Sequence, residues 1–216
     1  MDIINEVTNK GLRAGIVVAT GVKISESPEE LKNIIQILIK ERKEQEFPGE
    51  KLKGEIRNLL KTGGFKATGR NKPASEYLIQ ALKEDRFPFI NNLVDINNYL
   101  SVKSAFPISL LDSDITGPSA LIRFGKENEK YIFNTSGQEL DLKGCICICD
   151  EKGEPLGTPV KDSMKGKLKE NSENVIGIIF APSETISETS LHLYCTEFKK
   201  LLLKFGFAKT VESFVV

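Results

Sequence analysis

After one β-branched run near the N-terminus, apolar positions recur every three or four residues as far as about residue 102. Beyond Pro107 they recur every second residue. The first spacing predicts helices and the second predicts strands. Leu12 to Ile24 (LRAGIVVATGVKI) predicts a buried strand with its flanks, because Ile16-Val17-Val18 is β-branched and Gly15 and Gly21 bracket it. Ser27-Pro28-Glu29-Glu30 predicts a helix start. Ser27 is placed to cap it, Pro28 suits the first turn and Glu30 closes a capping box. Leu31, Ile34, Ile35, Leu38 and Ile39 form the apolar stripe of that helix. A second helix is expected from about Lys51 to Leu60, stopped by Thr62-Gly63-Gly64. A third should start near Pro73 and turn Tyr77, Leu78, Ala81 and Leu82 inward. A fourth covers Leu93 to Val102, with Leu93, Ile96, Asn97 and Leu100 at helical spacing.

In the second half, Leu121 to Phe124, Lys130 to Phe133 and Cys145 to Cys149 predict strands. Gly125, Gly137, Gly144 and Gly153 mark the turns between them. Asn174 to Phe180 predicts a further buried strand, Thr185 to Lys204 a long helix, and Val211 to Val216 a closing strand. A helix-rich first half and a strand-rich second half argue an α+β fold rather than a doubly wound one. We expect a single mixed domain over residues 1–216, with no internal repeat.

Composition narrows the function classes. Lys plus Arg number 30, and so do Asp plus Glu, giving a net charge of zero. A protein that wraps nucleic acid over many phosphates carries a basic excess, so any RNA contact here must come from a local patch. The apolar runs are short and the N-terminal residues carry mixed charges, so neither a membrane span nor a signal peptide is expected. Of the four Cys, Cys145, Cys147 and Cys149 alternate along one strand face, where such neighbours cannot easily bridge. That usage suits a reducing compartment, and we expect a cytoplasmic protein.

Several constellations of chemistry are weak. Thr62-Gly63-Gly64-Phe65 lacks the spacing and the lysine-plus-hydroxyl ending of a nucleotide loop. Cys-x-Cys-x-Cys on a strand lacks the turns that place zinc ligands tetrahedrally, so no metal is expected and the Cys read as small core residues. His192, the one His, reads as a partly buried helix residue. Lys161, Lys165, Lys167 and Lys169 share a polar stretch that can either clamp phosphates or lie as a solvated loop. Lys66, Arg70 and Lys72 crowd an irregular loop at a helix start, a phosphate-binding geometry. The structural alternative is that Arg70 pairs with an acidic neighbour. Asn91 to Tyr99 (NNLVDINNY) is the least usual segment, because Asn disfavours helices and is usually retained for hydrogen bonds. Its Asn92, Asp95 and Asn98 either line a polar pocket or cap and staple the helix.

These residues also carry a resemblance. Leu93-Val94-Asp95-Ile96-Asn97-Asn98-Tyr99, Ala105-Phe106-Pro107-Ile108-Ser109 and Leu111-Asp112 resemble, in order and spacing, the B-three/B-four module of bacterial phenylalanyl-tRNA synthetase beta subunits. Phe65 to Glu76 and Ser27 to Leu31 resemble its free-standing members, and the likeness runs from about Ser27 to Pro182. The resemblance implies that an N-terminal strand and a C-terminal helix pack on an editing-module core. It implies a tRNA or aminoacyl-tRNA partner, no cofactor, and hydrolysis of a wrongly attached amino acid by a positioned water. No aminoacylation is expected of this chain alone. By position, Asp95, Asn97, Asn98, Pro107 and Ser109 would shape the pocket. Asn98 and Pro107 match the family, Asn97 stands where it has Thr, and Ser109 where it has His. Lys66, Arg70, Lys72, Lys161, Lys165 and Lys167 would meet phosphates. The rival expectations are a non-catalytic RNA- or amino-acid-binding module and a protein-interaction domain with a vestigial pocket.

Overall fold

Two nine-residue apolar strands form the spine of the molecule. In the computed structural model, which describes residues 1–216, β2 (Leu12–Thr20) and β9 (Asn174–Pro182) pair antiparallel along their whole length. The outer strand β10 (Thr210–Val215) joins β2, and β3 (Ile108–Asp112) joins β9, giving the order β10-β2-β9-β3. A second four-stranded sheet has β1 (Asp2–Asn5), β4 (Ser119–Phe124), β7 (Ile146–Cys149) and β8 (Pro155–Gly157) in the order β1-β4-β7-β8. A small hairpin pairs β5 (Lys130–Ile132) with β6 (Glu139–Asp141). The helices are α1 (Glu29–Lys43), α2 (Glu50–Lys61), α3 (Ala74–Lys83), α4 (Asn92–Ser104), the single turn α5 (Ser113–Thr116) and α6 (Glu188–Phe205). The chain is an α+β domain, as its patterning predicts.

Period-two alternation sorts the strand residues into two cores. Ile146 and Ile148 of β7 join Ile16 of β2 and Ile176, Ile178 and Phe180 of β9 in a 14-residue cluster where the two sheets meet. Cys147 and Cys149, one residue out of phase, belong to the 37-residue cluster that the helices cover. The three Cys of the alternating run are thus buried free thiols used as small apolar side chains. Two glycines bring α6 close to the sheet. A methyl group at Gly177 would stand 2.5 Å from the Phe198 ring, and one at Gly15 would stand 2.6 Å from Cys195 Sγ.

Several local expectations change. α1 begins at Glu29 with Pro28, not Ser27, at its N-cap. The Ser27 hydroxyl instead donates to Asp95 Oδ2 at 2.6 Å, tying the entry of α1 to α4. Tyr77 faces outward, its hydroxyl donating to Gly69 O at 3.1 Å. The last long helix starts at Glu188, with Ser187 accepting from Ser190 N–H. β1 and β3 were not predicted as strands. β3 is buried at every position, so it has no alternation to read. No helix is long and apolar enough to cross a membrane.

Candidate functional site

The four asparagines of the α4 segment divide into two pairs with different work. Asn91 is the N-cap, its side chain accepting from Val94 N–H at 3.0 Å. Asn92 is fully buried and staples three segments. Its Nδ2 donates to Lys23 O and Phe205 O at 2.9 and 2.7 Å, and its Oδ1 accepts from Ser25 N–H at 2.9 Å. Asp95, on the same side, is also structural. It accepts from Ile90 N–H at 2.8 Å and from Ser27, and burial pushes its carboxyl above the usual range. One turn further, Asn97 and Asn98 face a cleft.

That cleft, of about 660 Å³, lies where α3 and α4 meet the edge strand β3 and the segment from Val160 to Leu168. Its walls are mostly apolar, with Leu78, Val94, Ile108, Leu110, Val160 and Leu168. Arg70, Lys161 and Lys167 add positive charge around it. Asn97 is 9% exposed and Asn98 is 7% exposed. Asn97 Nδ2 donates to Ile108 O at 3.4 Å, which orients the amide and leaves Oδ1 buried with no hydrogen-bond partner. A buried acceptor without a donor costs roughly 1–3 kcal/mol, so such atoms are uncommon.

The one acidic group lining the cleft is Asp162, the only acidic residue between Val160 and Lys169. Ser109 is 1% exposed and stands behind it. Its hydroxyl lies 2.7 Å from Asp162 Oδ1 and 3.2 Å from Thr158 O, so its single proton favours the carboxylate. Desolvation pushes the Asp162 carboxyl up to about 6. The Ser109 hydrogen bond, the charge of Lys167, and the Thr158 and Leu110 backbone act against that rise. Gly157 makes the room, since a methyl group there would stand 2.6 Å from Asp162 Oδ1. The turn before Asp162 is held by Thr158 Oγ1, which accepts from Lys161 N–H at 3.1 Å, and by Tyr131, whose hydroxyl donates to Lys161 O at 2.5 Å.

The cations differ in freedom. Arg70, on the 3-10 turn Gly69–Asn71, is exposed and makes no ion pair, so the acidic-neighbour alternative does not hold. Lys161 lies 4.1 Å above the Phe133 ring, and burial together with the Arg70 charge lowers its pKa. Lys167 donates to Phe133 O at 2.6 Å. The other three predicted phosphate contacts lie elsewhere. Lys165 pairs with Glu154 and stands 3.6 Å from Asp150. Lys72 lines a separate charged depression beside the Arg57–Glu76 pair. Lys66 is exposed outside the cleft. Pro107 is buried beside the cleft rather than lining it, and its carbonyl accepts from Phe180 N–H at 3.0 Å to extend the β3–β9 ladder. His192 stands on α6, outside the cleft. No three His, Cys, Asp or Glu side chains group closely enough to hold a metal.

A family model described as the B3/4 domain matches residues 63–199, more than half of the chain. The chain belongs to the B3/4 domain family. Among curated proteins it is similar to the phenylalanine–tRNA ligase beta subunit of Aquifex aeolicus, 26% identical over 106 residues. It is similar also to that of Bartonella henselae, 32% identical over 85 residues. These alignments cover 49% and 39% of the chain, but only 14% and 10% of the relatives' own lengths. The fold resembles an N-terminal fragment of the phenylalanyl-tRNA synthetase beta subunit from Pyrococcus horikoshii, with a TM-score of 0.51 and 12% identity. That match covers the whole chain and half of the fragment. This B3/4 domain is therefore related to part of a tRNA synthetase.

Proposed function

We propose that this B3/4 domain binds the aminoacylated 3′ end of a tRNA in the Asn97–Asn98 cleft and hydrolyses the aminoacyl ester. The observation that carries the reading is the pair of adjacent, nearly buried amides, one with an orphaned oxygen, in a cleft whose walls are mostly apolar. The Asn98 amide has N–H groups to give to a bound ester, and Asn97 Oδ1 is left to accept from one. Asn98 makes no side-chain hydrogen bond within the chain and is free to donate to the ester carbonyl as charge develops on it. Water adds to that carbonyl, the bond to the ribose oxygen breaks, and free amino acid and tRNA leave. Arg70, Lys161 and Lys167 supply a short electrostatic track for the terminal phosphates, in keeping with a chain of zero net charge.

The test is deacylation of a panel of mischarged tRNAs, Tyr-tRNA(Phe) included, by the purified protein and by Asn98→Ala. Hydrolysis that falls about 100-fold or more in the variant, at unchanged fold, supports the reading. No hydrolysis across the panel rejects the enzymatic half of it. A second reading, binding without hydrolysis, is favoured by one observation: the cleft holds neither a His nor a Cys. Salt-dependent retention of uncharged and charged tRNA without turnover would establish it.

A further inference from the structure

Two hydrogen-bond acceptor groups face the same cleft with no cationic side chain bound to either. Asn97 Oδ1 is buried and has no partner. Asp162 receives the Ser109 hydroxyl at 2.7 Å and is approached by the Thr158 and Leu110 backbone, but no side-chain cation neutralises its charge. The nearby cations do not fill this role. Lys167 spends its ammonium on Phe133 O, and Lys161 lies on the Phe133 ring. Neither forms an ion pair with Asp162, and Arg70 pairs with no carboxylate. Tyr131 points its proton at Lys161 O. The chain also makes space for this carboxylate, because any side chain at residue 157 would collide with its Oδ1. Acceptors gathered in an apolar cleft, one of them anionic, call for a ligand group that is cationic and carries several protons.

We propose that Asn97 Oδ1 and the Asp162 carboxylate bind a primary ammonium group, so that the cleft selects ligands with an unmodified α-amino group. This builds on the aminoacyl-ester reading and adds a rule to it: N-acylated aminoacyl ends and peptidyl ends are rejected. The apolar walls formed by Val94, Leu110 and Leu168 take an uncharged side chain next to that ammonium. Burial of Asp162 raises its carboxyl to about 6, so ammonium binding strengthens as pH rises through that value.

The experiment compares L-phenylalanine amide with N-acetyl-L-phenylalanine amide by calorimetric or NMR titration of the full chain. The free amine is expected to bind at least about tenfold more tightly, the difference a single charge-assisted contact makes. Asp162→Asn keeps an acceptor for Ser109 but removes the charge, and should erase most of that preference. Asn97→Leu, which keeps the volume, should weaken the amine and leave the acetylated amide unchanged. Equal binding of the two amides, no binding of either at about 10 mM, or a preference that survives Asp162→Asn overturns the proposal. Failure here is separable from failure of the hydrolase reading. If aminoacyl-tRNA and N-acetyl-aminoacyl-tRNA are cleaved at equal rates, the enzyme stands and the ammonium rule falls. If the free amine binds selectively but no ester is cleaved, the rule stands without the enzyme.

Discussion

Asp162 offers a test that needs no substrate. Its carboxyl rises from an ordinary 3.8 to about 6 in the folded chain, chiefly because the cleft wall desolvates it. A carboxyl with a higher pKa folded than unfolded binds more protons when folded. The contribution of Asp162 to stability is therefore greatest below about pH 4, falls as pH rises through about 6, and is flat above. That rise corresponds to roughly 3 kcal/mol at neutral pH. Asp162 is half-buried rather than sealed, so solvent screening brings the expected amplitude nearer 2 kcal/mol. The perturbation is Asp162→Asn, which keeps the shape and the Ser109 contact but cannot ionise. The assay is urea unfolding of both proteins at pH 4, 5, 6, 7 and 8. Asp95, whose carboxyl burial also raises, titrates in both proteins and cancels in the difference. The variant should match the parent at pH 4 and exceed it by about 2 kcal/mol at pH 7, with most of the change below pH 6. A stability difference that stays constant with pH, or that favours the parent at neutral pH, would refute the desolvated carboxylate.

The other expectations are shorter. With three cations at the cleft, the logarithm of tRNA affinity should fall against the logarithm of salt with a slope of about −2, a roughly twentyfold loss between 50 and 200 mM; filter binding measures it. Arg70→Ala should flatten that slope by about 0.7, whereas Lys66→Ala, outside the cleft, should leave it unchanged. Gly177→Ala drives a methyl group into the Phe198 ring and should cost about 1–3 kcal/mol in urea unfolding. Asn92→Ala strands two carbonyls and one N–H, and should cost about 2–4 kcal/mol with no direct effect on the cleft.

What could be read from the sequence follows from how local each cause is. Helical spacing located α1 to α4 because their apolar stripes answer to one core. The alternation of Cys and Ile in β7 was visible because two different cores take the two faces. β3 was missed for the opposite reason: both of its faces are buried, so Ile108 to Asp112 carry no alternation. Ser27 looked like a cap because capping is judged from neighbours in sequence, but its hydroxyl serves Asp95, 68 residues away.

The site divides along the same line. The asparagine-rich stretch announced itself by composition, since Asn is unfavourable within a helix unless its amide has work to do. Composition could not say which amide does what. Asn91 and Asn92 hold the helix in place, while Asn97 and Asn98, a turn and a half on, are left for the cleft. Asp162 was passed over because it sits among lysines, where a lone acid reads as ordinary surface charge balance. Its signal is its place between Val160 and Ser163, both buried, but only the packing of Gly157 and Ser109 against it reveals a carboxylate brought in from water. Where the resemblance to phenylalanyl-tRNA synthetase implied a pocket side chain at residue 109, the small serine lies one layer back and supports an acid arriving from another element. Side chains at the matched positions alone therefore describe the cleft less well than the groups its walls leave unpaired.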